Sequence, residues 1–101
     1  MDRFDELREK ILPILLPWGV ERVAVFGSFA RGEDAPGSDI DILVRLKPPD
    51  QRPPIGLKWF GLEAELSRIL ERPVDLVSEE ALSPYLRPYV EKGMVALYGK
   101  G

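Results

Sequence analysis

Two aspartates inside an apolar segment constrain this chain more than any other feature of its sequence. Asp39 and Asp41 open the segment DIDILVRL, in which Ile, Leu and Val fill most other positions. Residues two apart on a strand point to the same face, so the two carboxylates are predicted to project together. Asp is a poor strand former, and neighbouring ionised carboxylates repel each other. The segment therefore predicts a strand whose acidic face serves a purpose other than packing.

Helical and strand-like patterns alternate along the rest of the chain. Helices are predicted over 2–16, 28–33, 55–71 and 83–93, and strands over 21–26, 39–46 and 72–78, with the apolar segment 94–99 as a last strand or a docked end. The segment 47–54 is rich in proline and predicts an exposed, extended loop. Helices interleaved with strands indicate an α/β domain with a small sheet. The 101 residues suit a single domain over 1–101.

Composition excludes several classes of chemistry. The chain has neither His nor Cys, which excludes a Ser-His-Asp triad, a His-ligated zinc site and a thiolate metal site. Its net charge of −3 argues against stand-alone binding to nucleic acid. The apolar stretches are too short to span a bilayer, and no signal peptide is evident, so we expect a cytoplasmic protein without a membrane partner.

A third aspartate lies in another apolar segment. Asp75 is the central residue of PVDLV. If this strand neighbours the one that contains Asp41, Asp75 joins Asp39 and Asp41 on one face. Three carboxylates favour a hard dication, and Mg²⁺ takes oxygen ligands while it leaves positions for water and phosphate. We therefore predict a site for two Mg²⁺ ions, with Mn²⁺ as an alternative, in the arrangement used for phosphoryl or nucleotidyl transfer.

The segment GSFARG, residues 27–32, supplies features of a phosphate site. It follows a predicted strand and opens a short helix, whose first N–H groups are unpaired and attract anions. Gly27 lets a phosphate approach the backbone, Ser28 adds a hydroxyl donor, and Arg31 lies near the same helical face. Taken singly, these residues also fit an ordinary turn and a solvated helix. Their combination with the nearby carboxylates favours a bound nucleotide.

The two motifs together resemble those of a known family. GSFARG at 27–32 followed by SDID at 38–41 is similar to the signature of the nucleotidyltransferase superfamily typified by DNA polymerase beta. The chain length and the later VDLV segment resemble the minimal nucleotidyltransferases of bacteria and archaea, the MntA-like antitoxin family. The resemblance covers most of the chain and is densest from 27 to 44. It implies the polymerase beta-like fold, a small mixed sheet with helices packed on it.

The resemblance also implies roles and partners. Asp39 and Asp41 would hold the metal ions, Asp75 would be the third carboxylate and general base, and Gly27 and Ser28 would bind nucleotide phosphates. The nucleotide of such proteins is often ATP, and the partner is often a HEPN-domain protein whose toxic ribonuclease activity is blocked by adenylylation of a tyrosine.

We expect a Mg²⁺-dependent nucleotidyltransferase that moves AMP from ATP, or another monophosphate from its triphosphate, to a hydroxyl of a protein acceptor. One alternative is a catalytically weak nucleotide-binding module that neutralises a HEPN partner by contact. Another is transfer to a small molecule such as an aminoglycoside. The presence of all three aspartates favours an active transferase over the catalytically weak module.

Large aromatic residues are predicted to mark a contact surface. Tyr85 and Tyr89 are four residues apart on the predicted last helix and share a face, whereas Leu86 and Val90 are expected to point toward the core. Tyrosines suit interfaces because they are apolar in body and polar at the tip. We expect this face, or the loop 47–54, to contact a second protein or a second copy of the chain. Phe60 is expected to belong to the core.

Overall fold

The two longest strands lie at the centre of the sheet. The computed structural model describes residues 2–99, and in it β1 (Val20–Phe26) pairs antiparallel with β2 (Ile40–Leu46). On one side, β3 (Val74–Ser78) runs parallel to β2, and on the other, β4 (Val95–Tyr98) runs antiparallel to β1. The order β3-β2-β1-β4 is a small mixed sheet, which confirms the predicted α/β fold.

Two long helices cover one face of this sheet. The helices are α1 (Arg3–Leu15), α2 (Gly27–Arg31), α3 (Lys58–Leu70) and α4 (Arg87–Gly93). The Asp2 side chain caps α1, because its carboxylate accepts a hydrogen bond from the backbone N–H of Asp5. Helices α1 and α3 contribute Ile11 and Leu66, which are fully buried against strand residues such as Ile42. Within the described residues 2–99, no helix is long and apolar enough to cross a membrane.

The helix α3 presents a different face to the core from the one expected. Leu62 and Leu66 are buried and Trp59 packs against the core, but Phe60 is 67% exposed and Leu57 is 85% exposed. The assignment of Phe60 to the core was therefore wrong. Two residues along a helix correspond to a rotation of about 200°, so Phe60 cannot share a face with Leu62. The apolar stripe that packs inward follows Trp59, Leu62 and Leu66.

The last helix is shorter than predicted. It begins at Arg87 instead of Ser83, and the Ser83 hydroxyl accepts a hydrogen bond from the N–H of Tyr85 in the preceding turn. Pro88 explains this start, because proline lacks an N–H and is best tolerated in the first helical turn. Leu86 is 59% exposed, so its expected place in the core was also wrong.

Candidate active site

The start of α2 lies against an aspartate of the neighbouring strand. Gly27 links β1 to α2 with φ +72°, and a Cβ atom at this position would collide with Oδ2 of Asp41. Both the left-handed backbone and the close approach require glycine. The segment ends at Gly32, which caps α2 with φ +73°. The short helix therefore presents its first N–H groups beside the carboxylate of Asp41.

Strand register brings two aspartates side by side. Asp41 of β2 and Asp75 of β3 are direct partners in the parallel pair, so their side chains project from the same face of the sheet. Asp39 immediately precedes β2. Asp41 is half-buried, whereas Asp39 and Asp75 are exposed. The face opposite the long helices α1 and α3 thus carries an acidic patch at one end.

The neighbouring carboxylates of the patch act on Asp41. Burial raises the pKa of the Asp41 carboxyl, and the negative charges of Asp75 and then Asp39 raise it further, while the positive charge of Arg31 opposes the shift. The unliganded protein therefore holds this carboxylate in an unfavourable setting. A bound cation would relieve the repulsion.

The patch is suited to sharing a cation with a ligand. Among residues 2–99, no three acidic side chains converge into a complete ligand set of their own. Mg²⁺ is usually held by one or two carboxylates and completes its shell with water and substrate phosphates. The paired carboxylates of Asp41 and Asp75, with the repulsion on Asp41, fit such a shared site, and the charge of Asp39 acts on Asp41 from the end of β2.

A match to a family model identifies the enzyme family of this chain. The model described as "Nucleotidyltransferase domain" matches residues 7–97, which include the whole acidic patch and α2. The chain belongs to the nucleotidyltransferase family. The predicted resemblance to that superfamily is thereby confirmed.

Two relatives narrow the kind of nucleotidyltransferase. The chain is 39% identical over 83 residues to a Methanocaldococcus jannaschii protein described as a protein adenylyltransferase. The matched region covers 82% of this chain and 85% of the relative. The chain is 40% identical over 77 residues to the protein adenylyltransferase MntA of Thermococcus cleftensis, over 76% of this chain and 67% of the relative. These similarities confirm the predicted resemblance of the chain to the minimal, MntA-like nucleotidyltransferases.

Solved structures share the fold over nearly the whole nucleotidyltransferase. One described as a minimal nucleotidyltransferase superposes with a TM-score of 0.73 and 38% identity, over 94% of this chain and 95% of that chain. A toxin–antitoxin structure with AMP-PNP superposes with a TM-score of 0.74 and 26% identity, over 92% of this chain and 73% of that chain. The architecture therefore recurs in a protein crystallised with an ATP analogue.

The predicted phosphate residues differ in their placement in this nucleotidyltransferase. Ser28 is half-buried in the first turn of α2, next to Gly27 and hence near Asp41. Arg31 is exposed, and its Nε donates a 2.7 Å hydrogen bond to Glu33. It influences Asp41 through its charge rather than by contact. In the structure Arg31 is thus a peripheral member of the predicted set.

Sequence reasoning missed the contacts that hold α2 in place. Phe29 of α2 is buried, and the guanidinium of Arg3 stacks on its ring at 3.8 Å. Asp34 accepts two hydrogen bonds of 2.8 Å from Arg3 and forms an ion pair with Arg72 at 3.1 Å. Burial alone would raise the pKa of Asp34, but these hydrogen bonds outweigh it and lower the pKa. Both arginines are more than 30 residues from Asp34, so no local motif signals them.

A second buried charge cluster was also missed. Glu79 is 7% exposed and accepts hydrogen bonds from Arg45 and Arg87, while Arg22 lies 3.8 Å from its carboxylate. Burial would raise the pKa of Glu79, but the Arg45 and Arg87 hydrogen bonds and the charge of Arg22 lower it. This Glu79 cluster ties the turn before α4 to β1 and β2. It thereby fixes the position of α4 over the face that carries Asp41 and Asp75.

Proposed function

We propose that this nucleotidyltransferase moves AMP from ATP to a hydroxyl of a protein acceptor, with Mg²⁺ as cofactor. The observation that carries the proposal is the alignment of Asp41 with Asp75 on one sheet face, directly beside the start of α2 at Gly27. A phosphate held by the N–H groups of α2 would lie next to these carboxylates. Phosphate binding and charge compensation would then fall within one small patch.

The proposed reaction gives a role to each of these residues. The acceptor oxygen attacks the α-phosphorus of ATP, the bond to the bridging oxygen breaks, and pyrophosphate leaves. Asp75 takes the proton from the attacking hydroxyl, and Gly27 and Ser28 hold the phosphates through backbone and hydroxyl donors. Asp39 and Asp41, with Asp75, would hold Mg²⁺, which when bound neutralises charge that develops on the phosphates. Arg31 adds positive potential at the edge of the site.

Adenine and a protein acceptor are favoured by the relatives. Both curated relatives are named protein adenylyltransferases, and the toxin–antitoxin structure contains AMP-PNP. The net charge of −3 makes a nucleic-acid acceptor less suitable for the chain alone. We therefore propose a toxin as the acceptor, of the HEPN type that the family resemblance implies. The chain would then act as an antitoxin.

The proposal is tested with the product of the adjacent gene as the candidate acceptor. The two proteins are incubated with ATP and Mg²⁺, and the intact mass of the acceptor is measured. We expect a mass increase of one or more AMP groups, absent without Mg²⁺ and absent with Asp75→Asn. A partner that is neutralised without any mass increase, equally by Asp75→Asn and the wild type, would show that the protein acts by contact alone.

A further inference from the structure

The sheet face that carries the acidic patch is covered less completely than the other face. On the side of α1 and α3, Val25, Ile42 and Leu76 are buried to 4% exposure or less. On the opposite side, the apolar residues in the middle of the sheet are buried as well, but Phe26 and Val77 are only half-buried. The uncovered surface lies between β3 and α4, where the structure has a groove of about 300 Å³. An apolar surface left open beside reactive carboxylates needs an explanation.

One wall of this groove is part of the proposed active site. The groove between β3 and α4, called here the α4 groove, combines the carboxylate of Asp75 with apolar side chains from the sheet and from the segment 81–90. Its main lining residues are Phe26, Asp75, Val77, Leu82, Leu86 and Val90. Of the described residues that line the groove, Asp75 is the only acidic one. A side chain that fills the groove therefore lies beside Asp75.

We infer that the α4 groove binds the acceptor polypeptide and delivers its hydroxyl to Asp75. This inference rests on the proposed function and names the surface that grips the acceptor. The attacking oxygen must come within hydrogen-bond reach of the base, about 2.6–3.2 Å, so the acceptor has to occupy space next to Asp75. A volume of about 300 Å³ accommodates a side chain together with part of its backbone.

The chemistry of the walls selects the occupant. In the proposed function, the start of α2 holds the nucleotide phosphates next to Asp41. The walls of the α4 groove are mostly aliphatic and aromatic carbon, with the Ser83 hydroxyl as a further polar group besides Asp75. Such walls favour a hydroxyl-bearing side chain flanked by apolar residues over a charged or sugar acceptor. Leu86, which lines the groove, is 59% exposed, and Tyr85 and Tyr89, close to it in the chain, are 85% and 78% exposed. Exposed apolar and tyrosine side chains of this kind suit a protein contact.

Two leucines of the chain form a matched pair for a test. Leu86 and Leu57 each precede a helix at its N-cap position, both have helical backbone angles, and both are exposed. Leu86 lines the α4 groove, whereas Leu57 precedes α3, which packs on the opposite sheet face. Leu86→Arg and Leu57→Arg thus make the same change of charge and size in equivalent local settings, and neither is expected to unfold the protein.

The experiment measures acceptor use and nucleotide binding separately. With the adjacent gene product as acceptor, Leu86→Arg is expected to raise the acceptor KM about tenfold, the effect of losing one well-placed apolar contact. The dissociation constant for AMP-PNP with Mg²⁺ should change less than about twofold, and Leu57→Arg should leave both quantities within that range. Equal effects of the two variants on transfer would overturn the inference. A parallel loss of AMP-PNP affinity in Leu86→Arg would place the nucleotide in the groove instead.

A crosslinking measurement keeps the inference testable even if no transfer is observed. The chain contains no cysteine, so Leu86→Cys and Leu57→Cys each create a unique attachment point for a benzophenone maleimide. Irradiation with the adjacent gene product should give a crosslink from position 86 and none from position 57. Absence of transfer together with this crosslink would refute the proposed chemistry but support the docking surface. Equal crosslinking from both positions, or none from position 86, would refute the docking surface.

Discussion

Replacing Asp41 by asparagine is expected to stabilise the unliganded fold while it abolishes transfer. Asp41 is half-buried, and burial followed by the charges of Asp75 and Asp39 raises its pKa. A carboxyl with a higher pKa in the folded than in the unfolded state lowers the free energy of unfolding once it ionises. Asparagine keeps nearly the same shape without the charge. It removes the repulsion and also removes the charge needed to bind a cation.

The strand register sets the size of the repulsive part of this effect. Asp41 and Asp75 are direct partners on neighbouring strands, which places their carboxylates roughly 5 Å apart. Coulomb's law then gives a repulsion of roughly 0.8 kcal/mol at a dielectric constant of about 80 and roughly 3 kcal/mol at about 20. Because Asp75 is exposed, the lower end applies. A gain of about 1 kcal/mol corresponds to a rise in Tm of about 4–8 °C for a domain of this size.

Thermal melts over a range of pH measure this gain. At neutral pH the wild type carries the ionised Asp41, so Asp41→Asn should melt at the higher temperature. As the pH falls through the raised pKa of Asp41, toward its ordinary value of 3.8, the carboxyl is protonated and the difference should shrink. Millimolar ATP with Mg²⁺ should raise the Tm of the wild type and leave that of Asp41→Asn unchanged.

A control with the same change in net charge isolates the acidic patch. Asp50 lies in the exposed turn Pro49–Gln51, so Asp50→Asn should leave the Tm nearly unchanged. The double variant Asp41→Asn/Asp75→Asn should gain less than the sum of the two single variants, because both remove the same repulsion. A Tm of Asp41→Asn at or below that of the wild type at neutral pH would refute the reasoning.

Three further predictions concern other parts of the structure. Gly27→Ala should destabilise the fold by about 1–2 kcal/mol in urea titrations and abolish AMP-PNP binding, because the methyl group meets Asp41 and the backbone is left-handed. Ser28→Ala should lower the transfer rate about a hundredfold with an unchanged melting curve, since one phosphate donor is lost. Glu79→Gln should cost about 3 kcal/mol in urea titrations, because buried arginine charge loses its partner. In the wild type, the stability contributed by Glu79 should be lost as the pH falls below 4.5 through its lowered pKa.

Local sequence signals were sufficient for the part of the fold that forms the site. The strands that become β1 and β2 are apolar runs, and Gly27 and Gly32 mark the limits of the short helix between them. The pairing of Asp75 with Asp41 could be anticipated only on the condition that the two strands are neighbours. The parallel register of β2 and β3, connected through α3, supplies that condition.

Contacts between distant segments were beyond reach of the same reasoning. The exposure of Phe60 depends on which face of α3 meets α1. The apolar residues of this helix allow more than one choice of buried face, so the sequence does not decide between them. The burial of Glu79 has no local sequence signal, because Arg22 and Arg45 approach it from strands 34 or more residues away. The α4 groove follows from the same cluster, which fixes α4 across the sheet.

The position of the label on ATP gives the most direct test of the central claim that the aspartate patch catalyses nucleotidyl transfer. The protein, Mg²⁺ and the adjacent gene product are incubated with ATP labelled at the α-phosphate and, in parallel, at the γ-phosphate. The account predicts that the acceptor becomes labelled from the α position only, and that Asp41→Asn produces no label from either. Labelling from the γ position, or undiminished labelling by Asp41→Asn, would contradict it.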